Sequence, residues 1–269
     1  MRLRSLRPAA PLLAPALGAL SALGACAPAA STTATAPAPA VASGPALLEA
    51  MRARYAGKWY RTLTFVQRTE QVPPGGGAAR RSTWYEAVSA PGKLRIDTDS
   101  TLRSGQLFAN DSQYVVINGQ VRRAAAGHNV LQVLAFDVYS QPSARTAAVL
   151  RGLGFPEGPV RDDVWQGRPA WVVGARAGDL RSHQYWVDKE RLVFVRLLQP
   201  FPGDTTQTFD VRFNNYRPLA GGWIAPQVEA YVGATRVLFE EYEDVRANVE
   251  LDPNLFDPRR WGSARHWRR

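Results

Sequence analysis

Few residues of this 269-residue chain are spaced so as to carry out covalent or acid–base chemistry. There is one cysteine, Cys26, and there are three histidines, His128, His183 and His266. The histidines are scattered, and no spacing sets two of them on one strand face or one helical turn, as a metal site requires. No G-x-S-x-G turn presents a serine nucleophile. The carboxylate pairs Asp162-Asp163 and Glu240-Glu241 fall in strand-like runs, where adjacent side chains point to opposite faces and cannot share a proton. Gly174-Ala175-Arg176-Ala177-Gly178-Asp179 is rich in glycine like a phosphate loop, but no helix follows, so it reads as a turn between strands. The sequence thus reads as a protein that is not an enzyme and needs no cofactor or metal. Its one distinctive reactive group is the thiol of Cys26.

Cys26 ends the run Leu23-Gly24-Ala25-Cys26, behind a basic start (Arg2, Arg4, Arg7) and an apolar stretch from Ala9 to Ala22. A charged region, an apolar region too short to span a membrane and small residues at the cut form a secretory signal peptide. With cysteine at the cut, the segment resembles the lipobox of bacterial lipoproteins. That resemblance implies that residues 1–25 are removed and that Cys26 becomes a new N-terminus carrying acyl chains such as palmitate. Because Ala27 rather than Asp follows it, the resemblance also implies an outer-membrane anchor facing the periplasm. Each buried methylene of such chains contributes about 0.8 kcal/mol to anchoring. The other reading of this stretch is an ordinary signal peptide with an incidental buried cysteine. Either way, a lone thiol allows no internal disulfide, and the fold must rest on its core.

Residues 27–43 are Ala, Pro, Ser, Thr and little else, which makes them a flexible tether. Residues 44–258 suit one domain by length. Residues 259–269 form a basic end with Trp261 and Trp267, suited to anionic headgroups or simply solvated. The net charge of +10 does not point to nucleic acid in an exported protein.

Within the domain, Leu47, Leu48, Met51 and Tyr55 recur at helical spacing, with Ser43 as cap and Gly57 as stop. Strands are expected at Trp59–Phe65, Thr83–Val88, Leu94–Asp97, Gly105–Asn110 and Tyr114–Ile117. Pro73-Pro74-Gly75-Gly76-Gly77 is a hairpin loop, and Asn118-Gly119 is the strongest hairpin signal in the chain. Val130 to Val138 reads as a short helix, and a second follows from Ser143 to Leu153. Further strands are expected at Val160–Trp165, Ala170–Ala175, His183–Asp188, Leu192–Leu198, Thr208–Tyr216, Trp223–Val232 and Thr235–Val245. Helix, meander, helical insert and meander make an α+β fold. So many sequential strands form an antiparallel sheet that must curl, giving an unclosed half-barrel whose apolar face is lidded by the N-terminal and central helices.

This order of elements resembles the outer-membrane lipoprotein-sorting carriers of the LolA/LolB type. Pro91-Gly92-Lys93-Leu94-Arg95-Ile96 is similar to the family's early strand motif, and Asn110-Asp111-Ser112-Gln113-Tyr114-Val115 to the hairpin after it. Phe213-Asn214-Asn215-Tyr216 with Gly221-Gly222-Trp223-Ile224-Ala225-Pro226 resembles the late strand pair, and Leu255-Phe256-Asp257-Pro258 the closing segment. The resemblance implies a half-barrel cavity that holds acyl chains.

Twelve residues are the candidate lining: Trp59, Leu63, Phe65, Trp84, Leu94, Ile96, Leu134, Phe194, Phe209, Val211, Phe213 and Phe239. They can fill a core or line a ligand cavity. Phe209, Val211 and Phe213 share a strand face opposite Asp210, Arg212 and Asn214. Arg95 alternates away from Leu94 and Ile96, which leaves it solvated, whereas the resemblance implies contact with the lid. Arg196 and Glu229 interrupt apolar runs and are expected at an open rim rather than in an internal pair. The expected function is that of a lipid-anchored periplasmic protein binding a lipid or lipoprotein acyl chain, with an envelope protein as a further partner. Its rivals are a sensing module of the same fold and a structural lipoprotein with a filled core.

Overall fold

The structure is a computed structural model and describes residues 41–268. Its first element is α1 (Gly44–Arg54), capped where Ser43 Oγ accepts from the Ala46 N–H at 3.3 Å. A first meander follows: β1 (Thr62–Gln71), β2 (Arg80–Ser89), β3 (Lys93–Asp97), β4 (Gly105–Ala109), β5 (Ser112–Ile117) and β6 (Gln120–Ala126). Two short helices, α2 (Val130–Ala135) and α3 (Ser143–Gly152), flank a 3-10 turn at Asp137–Tyr139. The second meander is β7 (Val160–Trp165), β8 (Arg168–Val173), β9 (Gln184–Asp188), β10 (Phe194–Phe201) and β11 (Asp204–Asn214), completed by β14 (Gln227–Val232) and β15 (Thr235–Ala247). Between them β12 (Arg217–Leu219) and β13 (Gly222–Ile224) form a separate ribbon. Among the described residues, no helix is long and apolar enough to cross a membrane.

Thirteen strands make one antiparallel sheet in the order β6-β5-β4-β3-β2-β1-β15-β14-β11-β10-β9-β8-β7. The first and last strands therefore pair at its centre, with Leu63 opposite Ala247 and Gln67 opposite Tyr242. The free edges are β6 and β7, and α2 and α3 lie between them in the chain. A connection from one edge to the other must cross the mouth of the curled sheet, so topology itself makes the insert a lid. The lid is tied to both halves. Gly92 N–H of the β2–β3 turn donates to Asp137 Oδ1 at 3.0 Å, and the Tyr139 hydroxyl donates to the Leu192 carbonyl at 3.2 Å. The chain is an unclosed antiparallel half-barrel lidded by an N-terminal helix and a central helical insert.

Alternation decides which side chains face the lid. Leu47, Leu48 and Met51 of α1, Leu134 of α2 and Leu150 of α3 pack with Leu63, Phe65, Leu94 and Phe194 of the sheet in one core. A second, smaller core covers the outer face, where Leu255, Phe256 and Trp261 pack on Ala87, Leu107, Ala109 and Val116.

Several expectations are corrected here. Packing on the sheet continues past 258, the expected boundary of the domain. Trp261 and His266 are 2 % and 3 % exposed, so the chain end is a strap on the sheet rather than a free basic tail. The run Trp223–Val232 is two strands, because Pro226 brings no N–H to the ladder. Strand β6 has no alternation to read, since every one of its residues is exposed. The Asn118-Gly119 turn takes φ of 55° and 78°, the left-handed pair that a tight hairpin uses.

Candidate functional site

The lidded face divides into a packed upper part under the helices and a more open lower part. In the upper part, Trp59 stacks on Tyr139 with centroids 3.6 Å apart and meets Tyr55 edge-on at 4.8 Å. The Tyr55 hydroxyl donates to the Arg191 carbonyl, which fixes this aromatic plug to the β9–β10 turn. The Tyr60 hydroxyl donates to the Trp223 carbonyl at 3.0 Å and holds the β12–β13 ribbon against it.

Most of the candidate lining residues belong to this packed part. Trp59, Leu63, Phe65, Leu94, Ile96, Leu134, Phe194, Val211 and Phe213 are all buried in the main core. Phe213 meets Phe194 edge-on at 5.0 Å. Trp84 and Phe209 are different: they face the same side but stay partly exposed. Phe239 does not face the lid. It pairs with Glu70 across β1, with Leu238 and Glu240 on the other side, and stands on the outer face with Arg236 4.8 Å over its ring. Cys26 lies outside the described residues.

Below the plug, the register brings polar residues onto the lidded face. Gln67 is flanked by Trp84 on one side and Tyr242 on the other, and Thr69 by Ser82 and Glu240. Glu86 stands opposite Phe65, whose ring stacks on Tyr242 at 4.2 Å. The Tyr242 hydroxyl donates to Glu240 Oε2 at 3.2 Å. Burial pushes the Glu240 carboxyl up to about 7 and the Glu86 carboxyl well above the ordinary carboxylate range, each also opposed by nearby negative charge in the case of Glu86. Sequence reasoning named Phe65 and Trp84 as lining and weighed Glu240 only against Glu241, but it missed Gln67, Glu86 and Tyr242. The signal was present: Glu86 alternates with Trp84 and Val88, and Glu240 with Leu238 and Tyr242, so each carboxylate interrupts an inward-facing series.

Charged residues of the outer face are placed differently from expectation. Arg95 is neither solvated nor in contact with the lid. It is 1 % exposed, donates twice to Asp97 at 2.9 Å and once to the Trp261 carbonyl at 3.2 Å, and lies 3.8 Å over the Trp261 ring. His266 Nε2 completes the set at 3.0 Å from Asp97 Oδ2. Arg196 is in an internal pair, not at a rim, making two bonds to Asp210 at 2.9 and 2.8 Å between the rings of Trp165 and Trp186. Glu229 bonds Arg236 at 3.0 Å and Asn214 at 3.2 Å. Cavities of about 280 and 380 Å³ open on this outer face beside the strap. Among the described residues, no group of three or more His, Cys, Asp or Glu is placed to hold a metal.

No family model matches the sequence, and no curated protein matches it. Solved structures do match the fold. An outer membrane lipoprotein-sorting protein domain from Vibrio parahaemolyticus superposes with a TM-score of 0.53 at 11 % identity, over 81 % of this chain and 97 % of that one. A DUF1329 family protein from Desulfovibrio piger gives 0.51 at 13 % identity, covering 80 % and 95 %. A LolA superfamily protein from Nitrosomonas europaea gives 0.50 at 9 % identity, covering 78 % and 96 %. At such identities the likeness is one of fold, and the fold of this chain is the LolA-like half-barrel.

Proposed function

We propose that this chain is a lipid-anchored envelope protein that takes a single apolar chain, from a lipid or a lipoprotein, onto the lower part of its lidded face. The observation that carries the reading is local. Trp84, Phe209, Leu238 and Tyr242 face the lidded side and remain partly exposed, although each packs against the main core. A half-barrel that served only as a scaffold would gain by closing over them, since burial of apolar surface contributes about 25 cal/mol per Å². A hydrocarbon chain laid there would gain the same contribution without any covalent step. The Cys26 anchor, with its lipobox setting, would hold the face near a membrane. A filled structural core is the rival reading, and the burial of Leu63, Phe65 and Phe194 favours it for the upper part.

Titration of the purified full chain with a fluorescent fatty acid separates the two. Saturable uptake is expected, with Phe209→Glu weakening it by about tenfold, equivalent to about 1.4 kcal/mol. Absence of saturable uptake would leave the filled core as the surviving reading. In the same preparation Cys26→Ser should abolish labelling by palmitate; retained label would remove the anchor.

A further inference from the structure

On the lower lidded face, hydrogen-bond acceptors outnumber donors. Glu86 is 8 % exposed, and among the described residues nothing donates to its carboxyl or pairs with it; burial and the charges of Glu240 and Asp97 act on it unopposed. Gln67 is fully buried. Its Nε2 donates to Thr69 Oγ1 at 2.9 Å, which leaves Oε1 buried with no partner. Ser82 Oγ, across from Thr69, is also buried without one. Glu240 receives the Tyr242 hydroxyl at 3.2 Å, and the charges of Glu240 and Glu86 both bear on that tyrosine. The nearby cations are spent elsewhere: Arg68 pairs with Glu243, Arg81 with Glu70 and Arg236 with Glu229, all by side chains that alternate to the outer face.

Position brings these acceptors together. Gln67 sits at the centre, with Glu86 and Glu240 as its diagonal neighbours on the two adjoining strands. Uncompensated buried carboxylates cost several kcal/mol each. Three groups without a partner, Glu86, Gln67 Oε1 and Ser82 Oγ, lie beside Glu240 and the rings of Trp84 and Tyr242, and together they match one chemical group closely. A primary ammonium offers three N–H donors and a positive charge, and it favours aromatic faces. We propose that this cluster receives the primary ammonium of an amphiphile whose hydrocarbon chain lies on the lidded face. This rests on the apolar-ligand reading above and deepens it by specifying the polar end of the ligand.

The test is displacement of an uncharged fluorescent alkyl probe from the full chain by dodecylamine, dodecanol and dodecanoate. Dodecylamine should displace at least about tenfold more tightly than dodecanol, with dodecanoate weakest, as charge-assisted hydrogen bonds predict. In the near-isosteric double variant Glu86→Gln, Glu240→Gln, amine and alcohol should displace alike. Equal displacement by amine and alcohol in the wild type, or an amine preference that survives the double variant, overturns the inference and leaves the apolar-ligand reading standing. Failure of the probe itself to bind saturably overturns both. Phosphatidylethanolamine and a lysine-bearing lipopeptide, each against its N-acetylated form, then distinguish the sources of the ammonium. A free-amine advantage of about tenfold in one of them supports the proposal and identifies the source, and none in either overturns it.

Discussion

On the outer face of the sheet, Arg95 and His266 both pair with the one carboxylate of Asp97. The guanidinium meets the carboxylate with two bonds, the imidazole meets the same carboxylate, and the Trp261 ring covers the arginine. On the lidded face, Glu86 is nearly as deeply buried and has no such company. One sheet thus buries charge in two ways. Where opposite charges meet, the cluster holds the strap to the barrel through the Trp261 carbonyl and ring. Where no opposite charge is present, as at Glu86, burial and neighbouring carboxylates act on the group unopposed. Pairing with an opposite charge, rather than depth of burial, is what separates Arg95 from Glu86.

The largest effect should come from breaking the pairing of Arg95 with Asp97. Arg95→Ala leaves Asp97 buried with only His266, and denaturation should show a loss of about 3–5 kcal/mol. Glu86→Gln on the opposite face replaces a buried carboxyl that has no partner among the described residues, so its melting temperature should be unchanged or higher. A large loss in Glu86→Gln would mean that the glutamate has a structural partner after all. Second in size is a contrast along β11. Phe213 is packed against Phe194, and Phe213→Ala should cost about 3 kcal/mol through the void it leaves. Phe209, partly exposed on the same face, should cost about 1 kcal/mol on the same change. Equal losses would erase the distinction between packed and open parts of the lidded face.

The smallest effect concerns pH. The Glu240 carboxyl is raised from 4.5 to about 7, so within that window the folded protein keeps a proton that the unfolded chain has released. Stability should therefore fall as pH rises through the window, with the contribution fully present below it. Glu240→Gln should flatten this slope in chemical denaturation followed across the window. A wild-type profile that is already flat there would show that the carboxyl is solvated rather than buried.

Much of the fold was legible because a half-barrel is built from local events. Alternation in Phe209–Phe213, the Asn118-Gly119 turn and the helical spacing of Leu47, Leu48 and Met51 each speak for themselves within a few residues. What escaped notice depends on distant partners. Arg95 looks like a solvated strand arginine until Trp261 and His266 arrive from the far end of the chain. Phe239 was counted among the candidate lining residues, but the register with Glu70 turns it outward. Glu240 was weighed only against its neighbour Glu241, which faces away. The residue that shares its surroundings, Glu86, lies on another strand, and nothing in the spacing of the two could reveal that. Strand β6, exposed at every position, gives periodicity nothing to register.

The pairing of β1 with β15 also governs the order in which the molecule can be built. Each meander can form its own hairpins from contacts close in sequence, but the seam joining them must wait until residue 247 exists. Pairings between the chain's two ends carry the highest loop-closure cost and form slowly. Until then, the strand that will occupy the middle of the sheet presents a raw edge, the kind of surface on which unfinished chains aggregate. A chain that emerges in stages therefore keeps one edge of its first strand unpaired until its last strand arrives.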